Sequence, residues 1–211
     1  MIVMMDAAPR VRLVVWSDYL CPWCYLGTAR VERLEREFGD ALQVEWRAFL
    51  LRPTPQEKRT LERFRAYTQS WLRPAAEPDA PTFRAWETDA GPPSHSVPAH
   101  LVAKAAAALG PDAFAAMHRR LLRAYFQENL DVTDRATQQA LWAELGLAEE
   151  AFAVVDAPAT RAAVMAEHRD ALEQGVTGVP AVMMVGNDVP TLGAMPYETY
   201  RRWIARALGR E

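Results

Sequence analysis

The chain has 211 residues, of which 50% are hydrophobic and 24% are charged, and its formal net charge is −3. This composition is typical of a globular protein that is large enough to bury a substantial core. It excludes the basic surface of a nucleic-acid-binding protein, and no stretch approaches the roughly 20 apolar residues of a membrane span. Residues 1–10 contain Asp6 and no apolar run long enough for a secretion signal. We therefore expect a cytoplasmic protein with neither membrane nor nucleic acid as a partner.

The first predicted elements are a buried strand at residues 12–18 and a helix from Pro22 to about Phe38. Proline is favoured at the first helical position, because its missing N–H would be unsatisfied there anyway. This places Cys21 at the N-cap, beside free backbone N–H groups and the positive end of the helix dipole. Such a position stabilises a thiolate, which is the reactive form of cysteine. Cys24 lies one turn further along, within reach of a disulfide and more shielded from solvent.

These two residues are the only cysteines of the chain. In a cytoplasmic protein, a Cys-x-x-Cys pair is more often catalytic than structural, so we interpret it as a redox pair. A structural zinc site is one alternative, but it needs four ligands, and only His95 and His100 have the spacing of a second ligand pair. They lie far along the chain from Cys24, in a segment with proline, so we predict no metal. Two inert buried thiols are the other alternative.

The remaining elements follow in a simple order. Residues 42–50 alternate between apolar and polar side chains, which predicts a strand, and the short connections favour a parallel strand–helix–strand unit. Residues 56–174 show only helical patterns, apart from a segment from Pro74 to Pro98 that contains six prolines. We expect that segment to be mostly ordered, because Phe83 and Trp86 need burial. A buried strand at residues 181–185, a turn, an edge strand at 189–192 and a final helix after Pro196 complete the chain.

Two motifs carry a family resemblance. Cys21-Pro22-Trp23-Cys24 follows the first strand, and residues 175–180 read Gly-Val-Thr-Gly-Val-Pro before a late strand. Together with the stretches 131–134, 144–147 and 193–196, they resemble the DsbA family of thioredoxin-fold proteins. The similarity is greatest to its cytosolic FrnE-like branch, which is related to 2-hydroxychromene-2-carboxylate isomerases. The resemblance covers nearly the whole chain.

The resemblance implies an α/β, thioredoxin-like fold, βαβ…ββα, with a large all-helical insertion. Residues 1–55 and 175–211 would form the two parts of the thioredoxin-like domain, and residues 56–174 the insertion. Cys21 would attack the substrate and Cys24 would resolve the mixed disulfide. Pro180 would follow a cis peptide bond, although only about 5–6% of X–Pro bonds in folded proteins are cis. The backbone of Val179 would then lie beside the thiols and pair with an extended substrate.

The chain also departs from its relatives. The isomerase relatives typically carry serine at the position of Cys21, so the thiol here favours redox chemistry. The exported oxidants of the family usually have histidine between the cysteines, whereas this chain has Trp23, so we expect a less oxidising pair. No cofactor is expected to be bound permanently, and glutathione or another thiol is a candidate co-substrate.

Other candidate site residues flank the motif or lie in the helical segment. Asp18 either influences the thiols as a carboxylate or caps the loop after the first strand. Trp23 and Tyr19 are candidates for an apolar rim that contacts substrate, although Tyr19 is equally explained by packing. His100, like His95, is a candidate for the cleft by position alone, and His168 is interpreted as a core residue.

The sequence thus favours a thiol–disulfide oxidoreductase whose partner is a disulfide-bearing protein or a small molecule; it also allows a homodimer. Two alternatives belong to other classes. One is a glutathione-dependent isomerase or transferase acting on a small aromatic or polyketide-like substrate. The other is a non-enzymatic peptide-binding module that uses the groove beside Pro180.

Overall fold

The computed structural model of the protein describes residues 10–57, 59–187 and 189–210. We expected no secretion signal in residues 1–10, and nearly all of that stretch lies outside the described residues. Asp188 of the predicted turn also lies outside them. None of the described helices is both long and apolar enough to cross a membrane.

A four-stranded sheet in the order β2-β1-β3-β4 forms one layer of the molecule. Its strands are β1 (Val11–Ser17), β2 (Leu42–Ala48), β3 (Ala181–Met184) and β4 (Thr191–Leu192). The first two strands are parallel, whereas β3 runs antiparallel to both of its neighbours. Six of the seven residues of β1 are buried, as expected for a central strand covered on both faces.

In the described part of the chain, eight α-helices surround the sheet and extend beyond it. They are α1 (Pro22–Phe38), α2 (Leu61–Thr68), α3 (Leu72–Ala75), α4 (Val97–Ala107), α5 (Pro111–Phe126), α6 (Arg135–Glu144), α7 (Pro158–Glu173) and α8 (Tyr197–Ala207). Short 3₁₀ segments occur at Gly39–Ala41, Gln69–Trp71 and Glu149–Asp156. Several helix starts follow from local sequence: Pro158 opens α7, and the Asp134 side chain accepts the Thr137 N–H at the start of α6.

Helices α1 and α8 pack on one face of the sheet through an aliphatic core. Its buried members include Leu13 and Val15 of β1, Leu34 of α1 and Ile204 of α8. On the opposite face, Val14 and Trp16 of β1 pack with residues that include Ala171 of α7. The strict alternation of β1 side chains between these two cores fixes the register of the strand.

The helices between β2 and α7 have a core of their own, which is rich in aromatic rings. Trp71 lies at its centre, with ring centroids 4.8 Å from Phe126, 5.0 Å from Tyr125 and 6.2 Å from Phe64 and Trp86. Most of these contacts are edge-to-face or tilted, which is the favoured arrangement for aromatic pairs.

The proline-containing segment is ordered, as the sequence predicts, but it contains no helix between residues 76 and 96. Trp86 is only 2% exposed, and its backbone N–H donates to the Thr68 hydroxyl at 2.9 Å. Further bonds join Glu87 N to the Asn129 side chain and Arg84 N to the Phe126 carbonyl. Groups of α2, of α5 and of the loop after α5 therefore satisfy backbone N–H groups that this segment does not pair within itself.

A buried arginine ties this segment to α1. Arg30 is 3% exposed, and its guanidinium donates to both oxygens of Asp79 and to Glu77. The same side chain also donates to the carbonyls of Ala194 and Met195, before α8. The guanidinium thus has partners on several sides, as a buried charge requires.

The predicted fold class is confirmed: the chain has a thioredoxin-like α/β fold with a helical insertion. The edge strand is shorter than predicted, since only Thr191–Leu192 pairs with β3. The predicted domain boundaries at residues 55 and 174 stay a prediction.

Candidate active site

The two cysteines lie at the start of α1, where the sequence predicts them. Cys21 is the N-cap, with extended backbone angles of φ −99° and ψ 115°, and Pro22 opens the helix. Both thiols are free, and both are buried, with 6% of Cys21 and none of Cys24 exposed. A substrate sulfur can therefore reach Cys21 more readily than Cys24.

The loop before β3 brings a second element to Cys21. The Val179–Pro180 peptide bond is cis, as the resemblance implies. The Cys21 Sγ lies 3.4 Å from the Val179 carbonyl oxygen, to which its S–H donates. Pro180 also packs closely on α1: a Cβ added to Gly27 would lie 3.1 Å from the proline Cγ. Glycine at position 27 permits this close approach.

The surroundings of Cys24 disfavour the ionised form of its thiol. Its pKa is raised well above the ordinary value, first by burial and then by its hydrogen bond with Cys21. Two donors act in the opposite direction: the Asp18 backbone N–H, at 3.4 Å from Sγ, and the Ser17 side chain. Cys24 is therefore held as a thiol in the reduced protein, with hydrogen-bond partners already placed for its ionised form.

Asp18 is completely buried at the end of β1. Its Oδ1 accepts the Leu20 N–H at 2.7 Å, and its Oδ2 accepts the Leu51 N–H at 2.6 Å. Burial raises the pKa of this carboxyl, and hydrogen bonds from the Ser96 side chain and the two backbone N–H groups act against that rise. The carboxyl thus joins the cysteine loop to the chain after β2. Of the two roles that the sequence allows for Asp18, these bonds correspond to the cap of the loop after the first strand.

Tyr19 does not lie on an exposed rim. It is 4% exposed, and its hydroxyl hydrogen-bonds to Nδ1 of His118 at 2.8 Å. The other ring nitrogen of His118 bonds to the Thr28 hydroxyl at 3.2 Å. The packing explanation of Tyr19 therefore describes its position, because a phenol with a buried hydrogen-bond partner is a stable core group.

His100 is also buried, at 6% exposure, and its ring contacts Tyr19 edge-on, with centroids 4.8 Å apart. Burial lowers the pKa of His100 to about 3, and it does the same for His118, so both rings are neutral. His100 lines a small, partly open cavity of about 20 Å³, together with Ser17, Tyr19 and His118. Cys21, Trp23 and Val179 do not line this cavity, so the predicted placement of His100 in a cleft with the thiols differs from its observed position.

Trp23 lies on the surface between the two cysteines, with 37% of its area exposed. Leu51, whose N–H bonds to Asp18, is 45% exposed. His168 has the core role that the sequence predicts, since its Nδ1 accepts the Leu50 N–H at 3.2 Å. Within the described residues, no group of three or more His, Cys, Asp or Glu side chains is arranged to hold a metal ion.

Ser17, Gly27 and His118 were not identified from the sequence. Ser17 and Gly27 flank the cysteine motif closely enough to have been candidates. His118 gave no such signal, because its partners Tyr19 and Thr28 lie about 90 to 100 residues away along the chain.

The fold and the paired thiols beside a cis-proline loop define a thioredoxin-fold protein with a Cys-x-x-Cys site. Residues 12–205 match the DSBA-like thioredoxin domain, so the chain belongs to that family. Membership supports a thiol–disulfide enzyme.

Solved structures agree with this fold. A putative protein disulfide isomerase from Nitrosomonas europaea has a TM-score of 0.77 at 18% identity, covering 96% of this chain and 99% of its own. A probable DsbA oxidoreductase from Streptomyces coelicolor has a TM-score of 0.73 at 26% identity, covering 96% and 92%. The cytosolic disulfide reductase DsbM from Pseudomonas aeruginosa, solved with GSH, has a TM-score of 0.70 at 23% identity, covering 94% and 96%.

A curated relative matches only locally. The uncharacterized protein YwbO of Bacillus subtilis is 44% identical over 45 residues, which is 21% of this chain and 22% of that protein.

Proposed function

We propose that the protein is a thiol–disulfide oxidoreductase of the FrnE-like branch that uses the Cys-Pro-Trp-Cys pair. The observation that carries this proposal is the placement of the Cys21 Sγ at the start of α1, 3.4 Å from the Val179 carbonyl of the cis-proline loop, with Cys24 buried behind it. One thiol is within reach of a substrate and the other is shielded, which is the division of labour that disulfide exchange requires.

In the proposed reaction, the Cys21 thiolate attacks one sulfur of the substrate disulfide. A mixed disulfide forms, and the other substrate sulfur leaves with the electron pair as a thiolate. Cys24 then attacks the Cys21 Sγ, which releases the second substrate sulfur and closes the Cys21–Cys24 disulfide. The substrate is reduced and the cysteine pair is oxidised; the reverse sequence oxidises a dithiol.

A disulfide-bearing protein is the proposed substrate. The Val179 backbone would pair with an extended substrate chain, and the exposed Trp23 would contact its side chains. A closed pocket beside Cys21, lined by Ser94, Ser96 or His100, would instead favour a small aromatic molecule. Ser96 and His100 are buried and engaged elsewhere: Ser96 accepts the Arg52 N–H, and His100 packs on Tyr19. The Ser94 hydroxyl hydrogen-bonds to Nδ1 of His95 at 2.8 Å.

Glutathione or another thiol is the proposed co-substrate that regenerates the pair, and the cytoplasm the proposed compartment. The presence of GSH in the structure of the Pseudomonas aeruginosa reductase supports the first part of this proposal. A measured reduction potential of the Cys21–Cys24 pair gives the direction. A value near about −270 mV, as in thioredoxin, means a reductant, and one near about −120 mV, as in DsbA, means an oxidant.

Matched cysteine variants test the proposed mechanism. Cys21→Ser should abolish the reduction of insulin disulfides, because the attacking thiolate is lost. Cys24→Ser should instead accumulate a mixed disulfide between Cys21 and the substrate, detectable by mass spectrometry without reductant. Turnover by Cys21→Ser at the wild-type rate would contradict the mechanism.

A further inference from the structure

Cys24 must lose its proton before it can attack the mixed disulfide, yet it lies at 0% exposure behind Cys21. Its pKa is raised by that burial. Resolution of the mixed disulfide, which rests on the proposed function, therefore requires a group that carries the proton away and stabilises the thiolate. Among the described residues, the ionisable side chains that interact with Cys24 are Cys21 on its own helix and Tyr200 on α8, and the backbone N–H of Asp18 donates to its sulfur.

The polar atoms of Asp18 and Tyr200 are engaged elsewhere. The two carboxyl oxygens of Asp18 accept the Leu20 and Leu51 N–H groups, so that carboxyl holds the loop. The Tyr200 hydroxyl donates to the Gly193 carbonyl and accepts the Met195 N–H. Cys21 is occupied in the mixed disulfide at this stage, so it cannot receive the proton.

Ser17 is the neighbouring hydroxyl of Cys24, to which it hydrogen-bonds through its side chain. It is the last residue of β1 and is 5% exposed. Its backbone is held by the end of β2, because Ser17 pairs with Ala48 and its carbonyl accepts the Phe49 N–H at 3.0 Å. A hydroxyl can accept a hydrogen bond from the Cys24 S–H and, once the thiolate has formed, donate its own O–H to the sulfur. A backbone N–H can only donate.

Ser17 also lines the small, partly open cavity beside His100. Its volume of about 20 Å³ is enough for one water molecule, which needs roughly 10–15 Å³. His100 lines the same cavity, and its Nε2 has no hydrogen-bond partner among the described residues. In the tautomer with the proton on Nδ1, this buried nitrogen would accept a hydrogen bond from a water molecule in the cavity. The ion pair of Lys104 and Glu167 lies at the same cavity.

We propose that Ser17 is a further catalytic residue, which takes the proton of the Cys24 thiol and passes it to water in the cavity lined by His100. In this step the S–H bond of Cys24 breaks, and the proton leaves through Ser17 and water to solvent. The Cys24 sulfur forms a bond with the Cys21 sulfur, the bond from Cys21 to the substrate sulfur breaks, and that sulfur leaves with the electron pair as a thiolate.

Release of thionitrobenzoate from dithio-bis-nitrobenzoate by the reduced full-length protein separates this step from the first attack. The fast first equivalent reports attack by Cys21, and the second reports attack by Cys24 on the mixed disulfide. Removing a hydrogen bond to a charged group in Ser17→Ala should slow the second release about ten-fold and leave the first unchanged. The pH midpoint of the second release should rise by about one unit.

Matched variants distinguish the hydroxyl from simple packing. Ser17→Thr keeps the hydroxyl and should restore most of the second-phase rate. Thr28→Val removes another buried hydroxyl, one that bonds to His118, and should leave both phases at the wild-type rate. An unchanged second phase in Ser17→Ala, or equal slowing in Ser17→Ala and Ser17→Thr, would overturn the proposal.

Two further outcomes have separate meanings. If Asp18→Asn slows the second phase more than Ser17→Ala does, the carboxyl takes the proton and Ser17 does not. If the wild-type protein releases only one equivalent, the cysteines do not form a redox pair, and the proposed function itself fails. The Cys24→Ser variant, which should release one equivalent, sets the reference for that outcome.

Discussion

The sheet layer and the helical block differ in the side chains that hold them together. The core between the sheet, α1 and α8 is mainly aliphatic, with residues such as Leu13, Leu34 and Ile204. The core of the helical block is centred on aromatic rings around Trp71. Each large ring buries about 150–250 Å². A few rings can therefore hold a long segment without regular structure, whereas the sheet needs branched aliphatic side chains that fit its pleated surface.

The cysteine motif lies where these two regions meet. Tyr19, Leu20 and Tyr25, on either side of the cysteines, belong to the core of the helical block. Further along α1, Val31 and Leu34 belong to the core of the sheet layer. The cysteines thus lie at the junction of the two regions, and the position of the site depends on both cores.

The largest expected effect comes from the aromatic core. Trp71→Ala should lower the free energy of unfolding by about 3–5 kcal/mol, because it removes a fully buried ring that contacts four others. Leu72→Ala, one residue along and 47% exposed, should change it by less than about 0.5 kcal/mol. Urea denaturation measures both values.

Hydrogen exchange then shows whether the two regions unfold together. Because the active-site stretch packs into the helical core, Trp71→Ala should lower the protection of β1 amides as much as that of α5 amides. A loss confined to α5 would mean that the helical block unfolds as a separate unit, and that the junction is weaker than its packing indicates.

The second prediction concerns the two neutral histidines at the junction. In the folded protein, the pKa values of His100 and His118 are lowered to about 3 from the ordinary 6.5. Below pH 6.5 the unfolded chain therefore binds protons that the folded chain does not, and stability is lost as the pH falls towards 3. Between pH 7.5 and pH 5, each histidine should cost about 2 kcal/mol of unfolding free energy.

Buried carboxyl groups with raised pKa values, such as Asp18 and Glu32, act in the opposite direction, so a variant is needed to isolate one ring. His118→Gln keeps hydrogen-bonding groups near Tyr19 and Thr28 but does not titrate. It should lose about 2 kcal/mol less than the wild type between the two pH values. An identical loss in both proteins would show that His118 does not determine the acid sensitivity.

The third prediction concerns Gly27, where two opposing effects on stability partly cancel. In Gly27→Ala, the added Cβ would crowd the Pro180 ring at 3.1 Å, which costs about 1–3 kcal/mol, while alanine in a helix gains about 1 kcal/mol. Stability should therefore fall by no more than about 2 kcal/mol. Insulin reduction should slow several-fold, because Val179 moves relative to Cys21. Activity at the wild-type level would mean that the proline loop adapts without losing its position.

The sequence by itself determined the elements that depend on neighbouring residues. Pro22 opens α1 with Cys21 at its N-cap, and Asp134 caps α6, because caps form between residues two or three positions apart. The alternating pattern of residues 42–48 identified β2 for the same reason: its period is a property of one short stretch. The family resemblance, not local pattern, identified the cis peptide bond before Pro180.

Only the tertiary structure decided which polar groups surround the thiols. Tyr19 follows the first strand and precedes the motif, yet its hydroxyl bonds to His118, 99 residues away. His100, a candidate for the cleft, packs on Tyr19 beside the cavity. Nothing in the sequence distinguishes Ser17 from the other serines. The packing of α1 on the sheet brings its side chain to Cys24 and to the lining of that cavity. Burial and hydrogen-bond partners over such separations arise from how helices pack on the sheet, and no local pattern of side chains encodes them.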